Sequence, residues 1–246
     1  MPAMQIKLPD GNTLDLPADA TPYDAAMKIG EGLAKAAIGA RVNPPDSEAV
    51  LIDAHRPIGH ALPDTDPVEL ALITAPRTDK KGRSKWRDEQ HEKDALYLLR
   101  HTTAHVMAEA IQRLWPDTQL AYGPPLDNGF YYDLQLDTPI SADDFSKIEA
   151  EMKKIVDEGR PLVRYELDID TGMSKLYDED NKYKIDNAVK ATKNGAQSLS
   201  FYMTGEAHGF QPWDQLDTAP KIDAWEDLCQ GPHVDHTGRI GAFKVM

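Results

Sequence analysis

The chain has 246 residues, enough for one long domain or two smaller ones around a buried core. It carries 27 basic against 41 acidic residues, a net charge of −14, which argues against a protein that grips nucleic acid mainly by its phosphates. No apolar run approaches about 18 residues, the N-terminus lacks the apolar core of a signal peptide, and the single cysteine excludes internal disulfides, so the expectation is a cytoplasmic protein with no membrane partner.

Residues 4–8 alternate like a strand, Pro9-Asp-Gly11 makes a turn, and residues 13–16 alternate again, which predicts a hairpin. Thr21-Pro22-Tyr23-Asp24 opens a helix: Thr21 caps, Pro22 suits the first helical position, and Asp24 stands where a capping box wants an acid. Residues 37–42 and 68–74 read as further strands, closing a first domain at 1–76. Residues 77–95 are dense in charge and read as a linker or a solvated helix start. Lys80, Lys81, Arg83, Lys85 and Arg87 form the one stretch that could touch phosphate, although a solvated charge run is the favoured account of them.

A second domain is expected over 96–246. Residues 95–115 form an apolar-periodic helix stopped by Pro116. Two strand-like segments follow, joined at Asp127-Asn128-Gly129, a strong hairpin signal. Ser141 caps another helix with Phe145, Ile148, Met152 and Ile155 on one stripe; Gly159 and Pro161 end it, and residues 162–167 return as a strand. Helices against a largely antiparallel sheet make the fold α+β.

Two short signatures carry the chemistry: His101-Thr-Thr-Ala-His105 and Cys229-Gln-Gly-Pro-His233. Residues four apart on a helix share a face, so both imidazoles of the first point the same way. Brought together with the second, they would surround one point with imidazoles and a thiol, a site for activating water or for holding a metal. The plain alternative is a pair of helix-surface histidines and a buried, inert thiol. A Cys229–His233 nucleophilic pair is a further option, though four residues of separation do not by themselves give the required hydrogen bond.

Between the signatures lie Ala121-Tyr-Gly-Pro-Pro-Leu-Asp-Asn-Gly-Phe-Tyr-Tyr-Asp133 and Lys182-Tyr-Lys184, with Trp225-Glu-Asp-Leu228 leading into Cys229. In this order and spacing, residues 96–246 resemble the editing region of threonyl-tRNA synthetases of the bacterial type. The strand–strand–helix–strand pattern of 1–76 resembles the ubiquitin-like β-grasp of the TGS domain found ahead of that region.

The resemblance implies hydrolysis of seryl-tRNA mischarged on threonine-specific tRNA. A synthetic site cannot exclude serine sterically, because serine lacks only one methyl, so a second site must remove it. It also implies roles. His101, His105, Cys229 and His233 form the pocket, with Lys184 as the catalytic lysine. Asp227 holds the ammonium of the amino acid, while Gly123, Tyr132 and Tyr202 line the substrate. Tyr131, Tyr132 and Phe201 serve equally well as core aromatics. The implied partners are the aminoacylated acceptor end of the tRNA and the synthetic core of a parent enzyme. No cofactor or metal is expected in this region, ATP and zinc belonging to that core.

Two alternatives stay open. One is a zinc-dependent deacylase of the alanyl type, since two histidines plus Cys-x-x-x-His supply good zinc ligands. The other is a non-catalytic regulatory or RNA-positioning module. The sequence also departs from the pattern. Residues 206–224, with Gly209, Pro212 and Pro220, read as an inserted surface loop, and Gln230 stands where a cation is common. The chain stops at Ala242-Phe-Lys-Val-Met246, where the family continues into its catalytic core, so synthesis of threonyl-tRNA is not expected of it.

Overall fold

Alternating residues over a tight turn give the first hairpin of the computed structural model, which describes residues 3–43, 48–61, 68–81, 84–210, 214–220 and 224–246. Arg83 of the basic stretch and Pro212 of the inserted stretch lie outside the described residues. The chain divides into two compact units, Met1–Leu99 with Gly231–Asp235, and Arg100–Gln230 with His236–Met246.

In the first unit, β1 (Ala3–Lys7) and β2 (Thr13–Pro17) pair antiparallel. Helix α1 (Pro22–Ile29) opens on the expected reciprocal cap between Thr21 and Asp24, and Gly30 separates it from α2 (Glu31–Ala36). Strands β3 (Ala37–Asn43) and β4 (Val50–Asp53), the short α3 (Ile58–Ala61) and β5 (Val68–Thr74) complete a sheet of order β2-β1-β5-β3-β4. The central pair β1–β5 is parallel. With α1 laid over this mixed sheet, the unit is β-grasp-like, and its core gathers Ile6, Leu16, Ala25, Val42, Ile52 and Leu70.

Of the two readings of 77–95, linker or helix start, the second part of the stretch takes the helical one. Strands β6 (Arg77–Thr78) and β7 (Ser84–Lys85) form a two-stranded ribbon, and helix α4 (Glu89–Leu114) begins six residues before the apolar period does. Its charged first turns are not all solvated. Asp94 is buried and takes a two-pronged bond from Arg41 (2.6 and 2.5 Å), and His91 is buried with its Nε2 accepting the Thr74 N–H at 3.0 Å.

In the second unit, the remainder of α4 is followed by β8 (Gln119–Tyr122), β9 (Pro125–Leu126), β10 (Gly129–Phe130) and β11 (Asp133–Gln135). Strands β9 and β10 pair across Asp127-Asn128, and β11 returns antiparallel to β8. Ser141 and Asp144 form the reciprocal cap that leads into α5 (Phe145–Glu158), ended by Gly159 at φ 61°. Ile148, Met152 and Ile155 pack its buried face against Val106, Ala110 and Ile111 of α4.

Strand β12 (Leu162–Asp168) leads through α6 (Ile169–Asp178) and α7 (Lys182–Lys193) to β13 (Ser198–Thr204), then to β14 (Gln215–Leu216) and β15 (Trp225–Leu228). The sheet order is β14-β12-β13-β15, antiparallel except for the β12–β14 edge. The inserted stretch is therefore more than a surface loop. It adds edge strand β14 and buries Phe210 against Tyr165, ring centroids 5.4 Å apart. Both units mix helices with sheet, so the fold is α+β, as expected. Among the described residues no helix is long and apolar enough to cross a membrane.

Candidate active site

Three elements of the second unit aim polar side chains at one buried point. His101 and His105 sit one turn apart on α4 with ring centroids 5.3 Å apart, edge to face. Opposite residues of an antiparallel pair share a face, so the Tyr202–Asp227 pairing of β13 with β15 puts both side chains on one side of the sheet. Cys229, two residues after Asp227, keeps that side, and its N–H extends the ladder to the Ser200 carbonyl at 3.0 Å. Ser200 Oγ in turn donates to the Cys229 carbonyl at 2.7 Å, which fixes the thiol-bearing backbone.

The third element is the start of α7. Asn181 caps it by accepting the N–H groups of Tyr183 and Lys184. Asn181 and Asn187 also donate to the carbonyls of Leu120 (3.2 Å) and Ala121 (2.8 Å), pinning the helix to β8. Lys184 is consequently buried at 5% exposure, and its ammonium ion-pairs with Asp227 Oδ1. The Tyr132 hydroxyl accepts from Lys184 Nζ at 2.9 Å and donates to Asp227 Oδ2. His105 Nε2 approaches the same carboxylate oxygen at 3.6 Å. Lys184, Asp227, Tyr132 and His105 thus form one buried polar cluster, and beside it Cys229 Sγ meets His101 Nε2 at 3.4 Å.

The burial fixes protonation states. His105 is held well below the ordinary histidine value by desolvation first, then by His101 and Lys184, so its imidazole is neutral near pH 7. Tyr132 is held well above the ordinary tyrosine value, by desolvation first and then by the neighbouring Asp227, so its hydroxyl keeps its proton. Two groups whose environments push their proton affinities apart give a base and a hydrogen-bond donor in one pocket. A cavity of about 370 Å³ reaches the cluster from the side of Gln112, Glu226 and Asn181, with Lys184 and Asp227 in its wall.

Gly123 owes its identity to close packing. The Tyr132 ring lies on its backbone, and any Cβ there would overlap the ring. Tyr202 is buried on β13, whereas Phe201 packs into the hydrophobic core with Tyr165, ring centroids 5.4 Å apart. His233 is counted with the first unit, where it is fully buried and its N–H donates to Asp53 Oδ1 at 2.7 Å.

Sequence reasoning misses Gln112 and the Trp225 side chain as site components. The indole edge packs on His105 at 5.3 Å between centroids, and its N–H donates to Gln112 Oε1 at 2.7 Å. Gln112 Nε2 donates to the Thr118 carbonyl at 2.9 Å, which fixes the amide's orientation. A signal for it exists: Gln112 lies seven residues after His105, two helical turns along the same face. The ligand atoms of His101, His105 and Cys229 lie within 4.8 Å of one another, a donor set suited to zinc as well as to proton transfer.

Residues 4–71 match the model of the TGS domain, and residues 200–246 match that of the threonyl and alanyl tRNA synthetase second additional domain. The chain is 37% identical over 243 residues to a threonine–tRNA ligase of Rhodopirellula baltica, covering 99% of this chain and 28% of the relative. It is 38% identical to the enzymes named likewise from Erythrobacter litoralis and Paramagnetospirillum magneticum, covering 99% and 98% of this chain and 31% of each relative. The chain therefore spans about 30% of the length of these relatives. A TGS domain, a second additional domain and end-to-end similarity make this chain a counterpart of the N-terminal region of the threonine–tRNA ligases.

Proposed function

We propose that this chain hydrolyses the ester joining serine to the terminal ribose of threonine-specific tRNA, the proofreading step of a longer ligase that charges the tRNA with threonine using ATP. The observation that carries the reading is the buried Lys184–Asp227–Tyr132 cluster with neutral His105 beside it. Water attacks the ester carbonyl as His105 takes its proton; the carbonyl becomes a tetrahedral oxyanion, the bond to the ribose oxygen breaks, and the proton passes to that oxygen. The Lys184 ammonium and the Tyr132 hydroxyl are the donors suited to the oxyanion. Asp227 recognises the ammonium of the amino acid by a charge-assisted hydrogen bond, and its neighbours Gly123, Tyr132 and Tyr202 line the substrate. The reading needs no cofactor in this region, because a buried ammonium supplies the positive charge a metal would bring.

Selectivity follows from space. Serine fits wherever its hydroxyl and ammonium are held, whereas overpacking by threonine's extra methyl costs about 1–3 kcal/mol. The test is a deacylation time course on seryl- and threonyl-tRNA(Thr) with protein in excess. The seryl ester should be cleared at least about tenfold faster; equal rates would remove the reading. The second reading, a zinc-dependent deacylase, is favoured by the His101, His105 and Cys229 donor set. Stoichiometric zinc in the purified protein, with hydrolysis of alanyl esters lost on chelation and regained on adding zinc, would establish it instead.

A further inference from the structure

Several helix cations are matched to carboxylates one helical turn away: Lys93 with Glu89, Lys153 with Asp157, Lys190 with Asp186. The ribbon β6–β7 gathers cations without such partners. Arg77 stands directly opposite Lys85 across the strand pair, and both are exposed. Lys80 and Lys81, in the connection between the strands, are exposed too. Among the described residues none of these four cations has an ion-pair partner. The two nearest carboxylates in sequence are engaged locally: Asp79 accepts the Lys81 N–H at 2.8 Å, while Asp88 takes the His91 N–H and the Arg87 guanidinium.

Like charges directly opposite destabilise an antiparallel pair, and strands of two residues have little ladder energy to offset that. The ribbon is nonetheless anchored. Trp86 packs into the cluster of Ile38, Ile73 and Leu98, with its ring 6.0 Å from that of His91. An anion held between the strands would convert the repulsion into two attractive pairs. The net charge of −14 opposes a polyanion at long range, but that repulsion is screened beyond roughly 8–10 Å at ordinary salt, so a local cluster of cations decides whether the RNA is held.

We propose that the β6–β7 ribbon is a phosphate clamp for the RNA backbone, with Arg77, Lys80, Lys81 and Lys85 as the residues that grip it. The choice of RNA rests on the ester-hydrolysis reading. The ribbon supplies affinity without sequence preference, and the pocket residues supply chemistry.

The test uses the whole chain and an uncharged tRNA transcript, with binding measured between about 50 and 200 mM salt. A variant with Arg77, Lys80, Lys81 and Lys85 all changed to Gln should bind at least tenfold more weakly at the lower salt. Its slope of log affinity against log salt should be shallower by about 0.7–0.9 for each phosphate that is no longer neutralised. Single-turnover deacylation at saturating protein should stay at the wild-type rate. His105→Gln should do the reverse, losing hydrolysis while keeping affinity and slope. Wild-type affinity and slope in the quadruple variant would overturn the clamp. So would binding of the wild type to phosphatidylserine vesicles with none to tRNA. Ribbon-dependent tRNA binding by a protein that clears no ester would remove the pocket reading and leave the clamp standing.

Discussion

At the scale of single residues, the site is a set of side chains that hold one another in place. Gly123 is the least conspicuous and the most constrained, because the Tyr132 ring occupies the space a side chain would need. Gly123→Ala should push that ring off and break its bonds with Lys184 and Asp227, lowering the deacylation rate by about tenfold or more while costing about 1–3 kcal/mol of stability. Urea denaturation beside single-turnover kinetics checks it; unchanged kinetics would mean that Tyr132 is not held by this packing. Lys184 acts on two neighbours. Lys184→Met leaves Asp227 buried without its ion-pair partner, a change that costs about 3–5 kcal/mol in comparable sites, and adding Asp227→Asn should recover part of that loss. It also removes one of the charges that depress His105, so the His105 titration, followed by NMR of labelled imidazoles, should move up toward 6.5. The sign for stability follows. His105 has a depressed value in the folded state, so its contribution is complete above the unfolded value of about 6.5 and is lost as pH falls through the folded value. Base catalysis by the neutral ring should fade over the same acid range. A His105 titration unmoved by Lys184→Met would show that burial and His101 set its value without the lysine.

At the scale of elements, α4 and β15 meet through an interaction that neither sequence segment announces alone. The Trp225 indole is fixed by Gln112 and lies edge-on to His105. Trp225→Phe retains a ring but loses the bond to Gln112, so the imidazole should lose orientation while substrate binding persists. The expected outcome is a several-fold fall in kcat with KM little changed, and a steeper loss for Trp225→Ala; a change confined to KM would assign the indole to substrate binding instead. Much of the architecture is legible where a local rule decides it. The Thr21–Asp24 box, the Ser141 cap, strand β5 and the Ile148–Met152–Ile155 stripe follow from spacing alone. So does the shared face of His101 and His105. What escapes depends on distant partners. The start of α4 reads as a linker or a solvated helix start until Arg41 and Thr74 are seen to take Asp94 and His91 out of water. Strand β14 has two residues, too few to show a period, and exists because β12 offers an edge. Trp225 reads as part of a motif, and its orientation depends on Gln112, 113 residues earlier.

At the scale of the whole molecule, the chain builds the first unit in two visits. After β15 it supplies Gly231–Asp235 to that unit, where Val234 is buried with Ile38, Ile73, Ala95 and Leu98, and the His233 N–H reaches Asp53, 180 residues earlier. Closing so long a loop costs chain entropy that grows only slowly with length, so a few buried side chains are enough to hold the segment down. The compact unit therefore draws on residues well beyond 1–76, since Ile38 and Ile73 owe part of their cover to α4 and to Val234. Val234→Ala removes two methyl groups from a fully buried position and should cost about 2 kcal/mol once the remaining cavity is included. The loss should appear locally. Amide hydrogen exchange should quicken in β3 and β5, which carry Ile38 and Ile73, while the β12–β13 ladder keeps its protection. Faster exchange confined to β12 and β13 would mean that Gly231–Asp235 stabilises the second unit instead, and the division of the chain would have to be redrawn.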